Sequence, residues 1–133
     1  DLLAPVRAAF PDCDVLDGTL TFDADDVLYI ALTTIESNVV GKKSAAQNIP
    51  ASKWFGHASC EIALAVSEDF GETFEVIAIS TPDPVQPNWL PSIERPYGPK
   101  PIGTPSIIYT HGGPGVSLTE HDPTEVVFVR LEK

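Results

Sequence analysis

A chain of 133 residues with 43% hydrophobic residues holds one domain with a sizeable core, and none of its apolar runs approaches the ~18 residues of a membrane-spanning helix. Nineteen acidic residues against eight basic ones leave a formal net charge of −11. That field repels nucleic acid and anionic membrane surfaces, so neither is expected as a partner.

In chain order, residues 1–13 read as an extended or partly helical lead-in, with a mildly amphipathic Ala4 to Phe10 stopped by Pro11. Asp17-Gly18 is a turn signal, and Thr19 to Phe22 then reads as a short strand. A polar turn, Asp23-Ala24-Asp25-Asp26, leads into the strong strand Val27 to Leu32. Glu36 to His57 is a long connection, of the length that in a compact domain is usually functional or mobile. Cys60 to Val66 and Phe74 to Ile79 supply a third and a fourth strand. Thr81 to Pro87 holds three prolines and reads as an extended joint. The pattern then begins again with Trp89 to Glu94, a proline-rich loop from Arg95 to Gly103, Pro105 to Thr110, and Thr124 to Leu131. Nothing past residue 10 sustains a helical period.

The most specific segment joins the third and fourth strands: Ser67-Glu68-Asp69-Phe70-Gly71-Glu72-Thr73-Phe74. Asp69 has a short acceptor that bonds nearby backbone N–H groups in a tight reversal, and Gly71 supplies the positive φ such a reversal needs. Thr73 and Phe74 suit the start of the next strand. The segment matches S-x-D-x-G-x-T-[WF] and so resembles the Asp box of sialidase-like β-propellers. In that family the turn joins the third and fourth strands of a blade, on the rim away from the substrate. The resemblance makes Ser67, Asp69, Gly71, Thr73 and Phe74 structural residues. It implies an all-β fold of antiparallel four-stranded blades and carbohydrate-directed work, most often glycoside hydrolysis outside the cell.

On that reading residues 14–80 form a first blade and residues 86–131 a second, incomplete one, within a single β domain spanning residues 1–133. A propeller needs four to eight blades to close. Three outcomes remain: a portion of a longer propeller, a few-blade protomer that closes as a homo-oligomer, or a two-sheet β-sandwich that carries an Asp box. The absence of methionine makes Asp1 no natural translation start, so a removed leader or a longer polypeptide is expected. Cys13 and Cys60 fit either one disulfide or two buried thiols.

Sialidase-like hydrolases use an arginine cluster, a carboxylic acid/base and a tyrosine nucleophile paired with a glutamate. The resemblance places Glu94, Arg95 and Tyr109 as the catalytic candidates, although Arg95-Pro96 only partly echoes the family's Arg-Ile-Pro. The alternatives are a surface ion pair for Glu94 and Arg95, and a core tyrosine. With only Arg7, Arg95 and Arg130 in the chain, sialic acid is a doubtful substrate and a neutral sugar a better one. Trp54 and Trp89 are candidate stacking faces for sugar rings, and His111 a further contact to substrate. His111-Gly112-Gly113-Pro114-Gly115 also looks like the oxyanion-loop motif of proline-iminopeptidase-type hydrolases, but no G-x-S-x-G elbow accompanies it, so a turn is the expected role. Six aspartates between residues 12 and 26 lack the spacing of a calcium loop; neither metal nor cofactor is expected. The non-catalytic alternative is an Asp-box module that binds glycan or protein.

Overall fold

The computed structural model describes residues 4–36, 60–81, 87–96, 102–112 and 124–131. One short helix, α1 (Ala4–Ala9), precedes seven strands: β1 (Cys13–Phe22), β2 (Leu28–Glu36), β3 (Glu61–Ser67), β4 (Glu75–Ala78), β5 (Asn88–Ile93), β6 (Ser106–His111) and β7 (Glu125–Arg130). They form two antiparallel sheets whose strands lie side by side in chain order, β1-β2-β3-β4 and β5-β6-β7. The chain is therefore all-β, as its alternating apolar pattern predicts. No helix among the described residues is long and apolar enough to cross a membrane.

The side-chain alternation of strands decides what each face touches. From β2, Ile30 and Leu32 turn to one side, where they meet Val6 and Phe10 of the α1 segment together with Ala63 and Ala65 of β3. Tyr29 and Ala31 turn to the other side and join Leu64 of β3 with Ile93 and Ile107 of the second sheet. That second cluster is the seam between the sheets. A smaller cluster of Ile35 and Cys60, with Leu16 and Trp89 against it, extends the seam toward one end. Cys13 packs with the helix-side cluster and Cys60 with this end cluster, so the thiols lie on opposite faces of the first sheet, and no disulfide joins them.

A side-chain hydroxyl bonded to backbone groups across the seam adds direction to the apolar contact. Thr19 Oγ1 accepts from the Ile93 N–H at 3.1 Å and donates to the Pro91 carbonyl at 3.4 Å, tying β1 to β5. Pro91 is tolerated because β5 is an edge strand with a register shift between Trp89 and Ser92, where Leu90 takes φ 56°.

One expectation fails. Asp17-Gly18 is not a turn: both residues lie inside β1, which starts at Cys13 and carries an irregularity between Val15 and Asp17. Gly18 is there for closeness, since a Cβ at that position would stand 2.6 Å from Leu32 Cδ2 and 3.0 Å from the Ala31 carbonyl. The strand expected at Thr19 to Phe22 therefore starts earlier, at Cys13, and the one expected at Val27 to Leu32 runs on to Glu36.

Candidate functional site

The antiparallel course places connections at two opposite ends of the sheets. At one end lie the β1–β2 turn, the β3–β4 turn and the exit of β5. At the other lie the start of β3, the end of β4, the start of β5 and the end of β6.

The Ser67–Phe74 turn occupies the first end and is closed by its own side chains. Ser67 Oγ accepts from the Gly71 N–H at 2.8 Å and donates to Asp69 Oδ1 at 2.7 Å. Asp69 Oδ1 also accepts from the Thr73 N–H at 2.9 Å, and its Oδ2 from the Thr73 hydroxyl. These bonds, led by the Thr73 hydroxyl and amide, hold the Asp69 carboxyl down at about 2. Gly71 takes φ 87°, as the motif requires, and Phe70 beside it takes φ 56° with its ring 75% exposed. Phe74 tucks back against the helix-side core.

The neighbouring β1–β2 turn uses a second aspartate in the same manner. Asp23, 5% exposed, accepts from the Asp25 and Val27 N–H groups at 2.8 and 3.0 Å through Oδ1. Its Oδ2 accepts from the Tyr29 hydroxyl at 3.0 Å. Burial first, then this bond to a carboxylate, pushes the Tyr29 phenol up to about 12.

The chemistry-bearing cluster sits at the other end of the seam. Glu61, at the start of β3, accepts through Oε2 from the Ser80 hydroxyl at 2.5 Å and from Asn88 Nδ2 at 3.3 Å. Asn88 Nδ2 also donates to the Thr81 carbonyl at 3.2 Å. With both amide protons directed that way, Asn88 Oδ1 faces His111 and must accept, so the contact of 2.7 Å is a donation from His111 Nδ1. The tautomer follows: in the neutral ring, Nε2 is the acceptor. Asn88, His111, Tyr109, Thr81, Glu125, Ile79 and Val127 line a shallow cleft of about 330 Å³, within the size range of small-ligand sites. Burial, and then the charge of Glu61, push the Tyr109 phenol up, so the hydroxyl stays protonated. The described lining has acceptors and hydroxyls but no lysine or arginine.

The residues singled out from sequence scatter about this framework. Tyr109 and His111 line the cleft together. Glu94 does not join them: its Oε1 accepts from the Ser106 N–H at 3.1 Å, and Tyr109 lies three residues further along β6, about 10 Å away at strand rise. Arg95 follows Glu94 at the exposed exit of β5. Trp89 is half-buried against Ile35 and Cys60, and its indole N–H donates to the Gly112 carbonyl at 3.1 Å, an anchoring geometry next to the cleft. Trp54, Gly113 to Gly115 and the connection of residues 37–59 lie outside the described residues. Glu61, Ser80 and Asn88 were not legible as site residues, because each looks like an ordinary strand end until the two sheets meet. Among the described residues no group of three His, Cys, Asp or Glu side chains is arranged to hold a metal ion.

Comparison with known proteins yields no matching family model, no similar curated protein and no similar solved structure.

Proposed function

We propose that this chain is a span of a sialidase-like Asp-box β-propeller, working on extracellular glycans, and that it contributes glycan contact at the Asn88–Tyr109–His111 cleft. The observation that carries the reading is the Asp-box turn itself. Its Ser67, Asp69, Gly71 and Thr73 bonds close the link between the third and fourth strands of an antiparallel meander. A second sheet then packs on the first and restarts at its first strand. In a blade-like order the polar cleft falls at the end opposite the box, the side on which the resemblance puts substrate.

Binding fits this span better than cleavage. A nucleophilic tyrosine needs its proton drawn off, whereas burial and Glu61 hold the Tyr109 proton in place. Glu94 and Arg95 stand at the far end of β5. The hydrolase reading keeps one support, a tyrosine that lines the cleft, Tyr109. As a portion of a glycoside hydrolase the span would then need its remaining catalytic groups from elsewhere.

A glycan array followed by turnover assays on aryl glycosides tests both. The binding reading expects retention of neutral oligosaccharides, lost in Asn88→Ala and His111→Ala, with no release of aglycone. Turnover abolished by Tyr109→Phe would instead establish the hydrolase, and an array empty for the folded protein would end the carbohydrate reading.

A further inference from the structure

The cleft opposite the Ser67–Phe74 turn is charged as well as polar. Three of its residues form one cross-strand row of the second sheet, since Asn88 of β5 pairs with His111 of β6, and His111 with Glu125 of β7. Tyr109 and Val127, two residues along the same strands, form the next row on that face. Asn88 and Tyr109 are 2% and 8% exposed, so the polar lining is built into the fold. Carboxylates reach the row from both sheets. Glu125 lines the cleft from the second sheet at an exposed position. Glu61 stands behind Asn88 from the first, its Oε2 accepting from Asn88 Nδ2 at 3.3 Å and from the Ser80 hydroxyl. Its field reaches the cleft: after burial, the charge of Glu61 is what pushes the Tyr109 phenol up. Ile79, Val127 and the Tyr109 ring add an apolar side to the lining.

We infer that the cleft selects a glycan carrying a free amine, a hexosamine unit whose ammonium sits beside Glu125 and whose ring lies against Ile79, Tyr109 and Val127. This rests on the carbohydrate reading and names the sugar class within it. Both carboxylates attract an ammonium, whereas a hydroxyl in its place carries no charge for them to act on. N-acetylation removes the charge, so an acetylated unit ranks with a neutral sugar. An acidic sugar is repelled by the same two groups. The Tyr109 and Thr81 hydroxyls remain as partners for the oxygens of the sugar. Neutral glycans are still ligands of such a cleft, and the amine adds preference.

The test titrates the whole chain at pH 7 with three disaccharides of one linkage, built from glucosamine, N-acetylglucosamine and glucose, and reads affinity by calorimetry. The glucosamine disaccharide should bind about fivefold tighter than the other two, and added salt should shrink that margin. Glu125→Gln should abolish the preference with circular dichroism unchanged, since the position is exposed. Glu68→Gln, an equally exposed change at the opposite end of the sheets, should leave it intact. Equal binding of all three disaccharides by the wild type would overturn the amine selection and leave the carbohydrate reading standing. A preference that survives Glu125→Gln, or that falls as much in Glu68→Gln, would also overturn it, because the net charge of −11 would then account for the effect. Binding of none of the three by the folded protein would end the carbohydrate reading and this inference with it.

Discussion

The middle of the first sheet, β2 and β3, is covered on both faces, by the α1 segment on one and by β5 and β6 on the other, while the second sheet is covered on one face only among the described residues. The strands that show this best have similar composition. β3, Glu-Ile-Ala-Leu-Ala-Val-Ser, buries Ile62, Ala63, Leu64, Ala65 and Ser67, whereas β7, Glu-Val-Val-Phe-Val-Arg, buries none of its residues. Hydrophobicity made both into strands, but a neighbour on each side and on each face is what buries one of them. The outer face of β5–β7, with Leu90, Ile108, Val126 and Phe128 exposed, is thus a property of position in the assembly and not of sequence.

Mutations sharpen the contrast, beginning with the largest effect. Leu64→Ala or Ile107→Ala, at 1% and 0% exposure in the seam, should each cost about 2–5 kcal/mol in urea unfolding. Ile108→Ala, next door on β6 but on the open face, should change stability by about 0.5 kcal/mol or less. Equal losses at positions 107 and 108 would mean that the open face is covered in solution.

Gly18→Ala probes the first sheet from its edge. With Leu32 Cδ2 2.6 Å and the Ala31 carbonyl 3.0 Å from the new methyl, the variant should lose about 1–3 kcal/mol in the same assay. A neutral result would show that the β1–β2 contact is looser than the seam.

Tyr29→Phe removes the donor to buried Asp23 and should cost about 1–3 kcal/mol. It should also change the alkaline limb. The folded-state phenol sits at about 12 against an ordinary 10.0, so its contribution is complete below pH 10 and is lost as pH rises toward 12. Thermal unfolding of the wild type should fall through that window more steeply than that of the Phe variant.

The acid limb probes the Ser67–Thr73 turn. Asp69 titrates at about 2 against an ordinary 3.8, so its bonds stabilise fully above pH 3.8 and are lost as pH falls toward 2. Asp69→Asn should flatten the melting temperature across that interval, with a smaller loss at neutral pH than the seam variants. An unchanged acid profile would show that the box is not bonded as described.

How much of this was legible depended on whether the information was local. Ser67 to Phe74 are eight consecutive residues whose turn chemistry is local, and the Asp69 bonds and the positive φ of Gly71 came out as the sequence implies. Strand order was legible for the same reason, since every pairing joins consecutive strands. Gly18 misled because its reason is a neighbour fourteen positions on, Leu32, which no local signal reveals. The cleft is less local still: Glu61 and Asn88 are 27 positions apart, and His111 is 23 beyond Asn88. Tyr109 and His111 were singled out for other reasons, and only the packed sheets show that Asn88 sets the tautomer between them. The sequence marks Asp23 only as part of a polar turn, whereas Tyr29 beneath it makes it a buried acceptor.

The most direct test of the glycan reading is a residue-by-residue map of amide chemical-shift changes on titration with a neutral oligosaccharide. The account predicts shifts centred on Asn88, Tyr109, His111 and Glu125, with Asp69 and Thr73 at the opposite end unmoved. Shifts centred on the Asp box or on the open β5–β7 face, or no shifts with the protein folded, would contradict it.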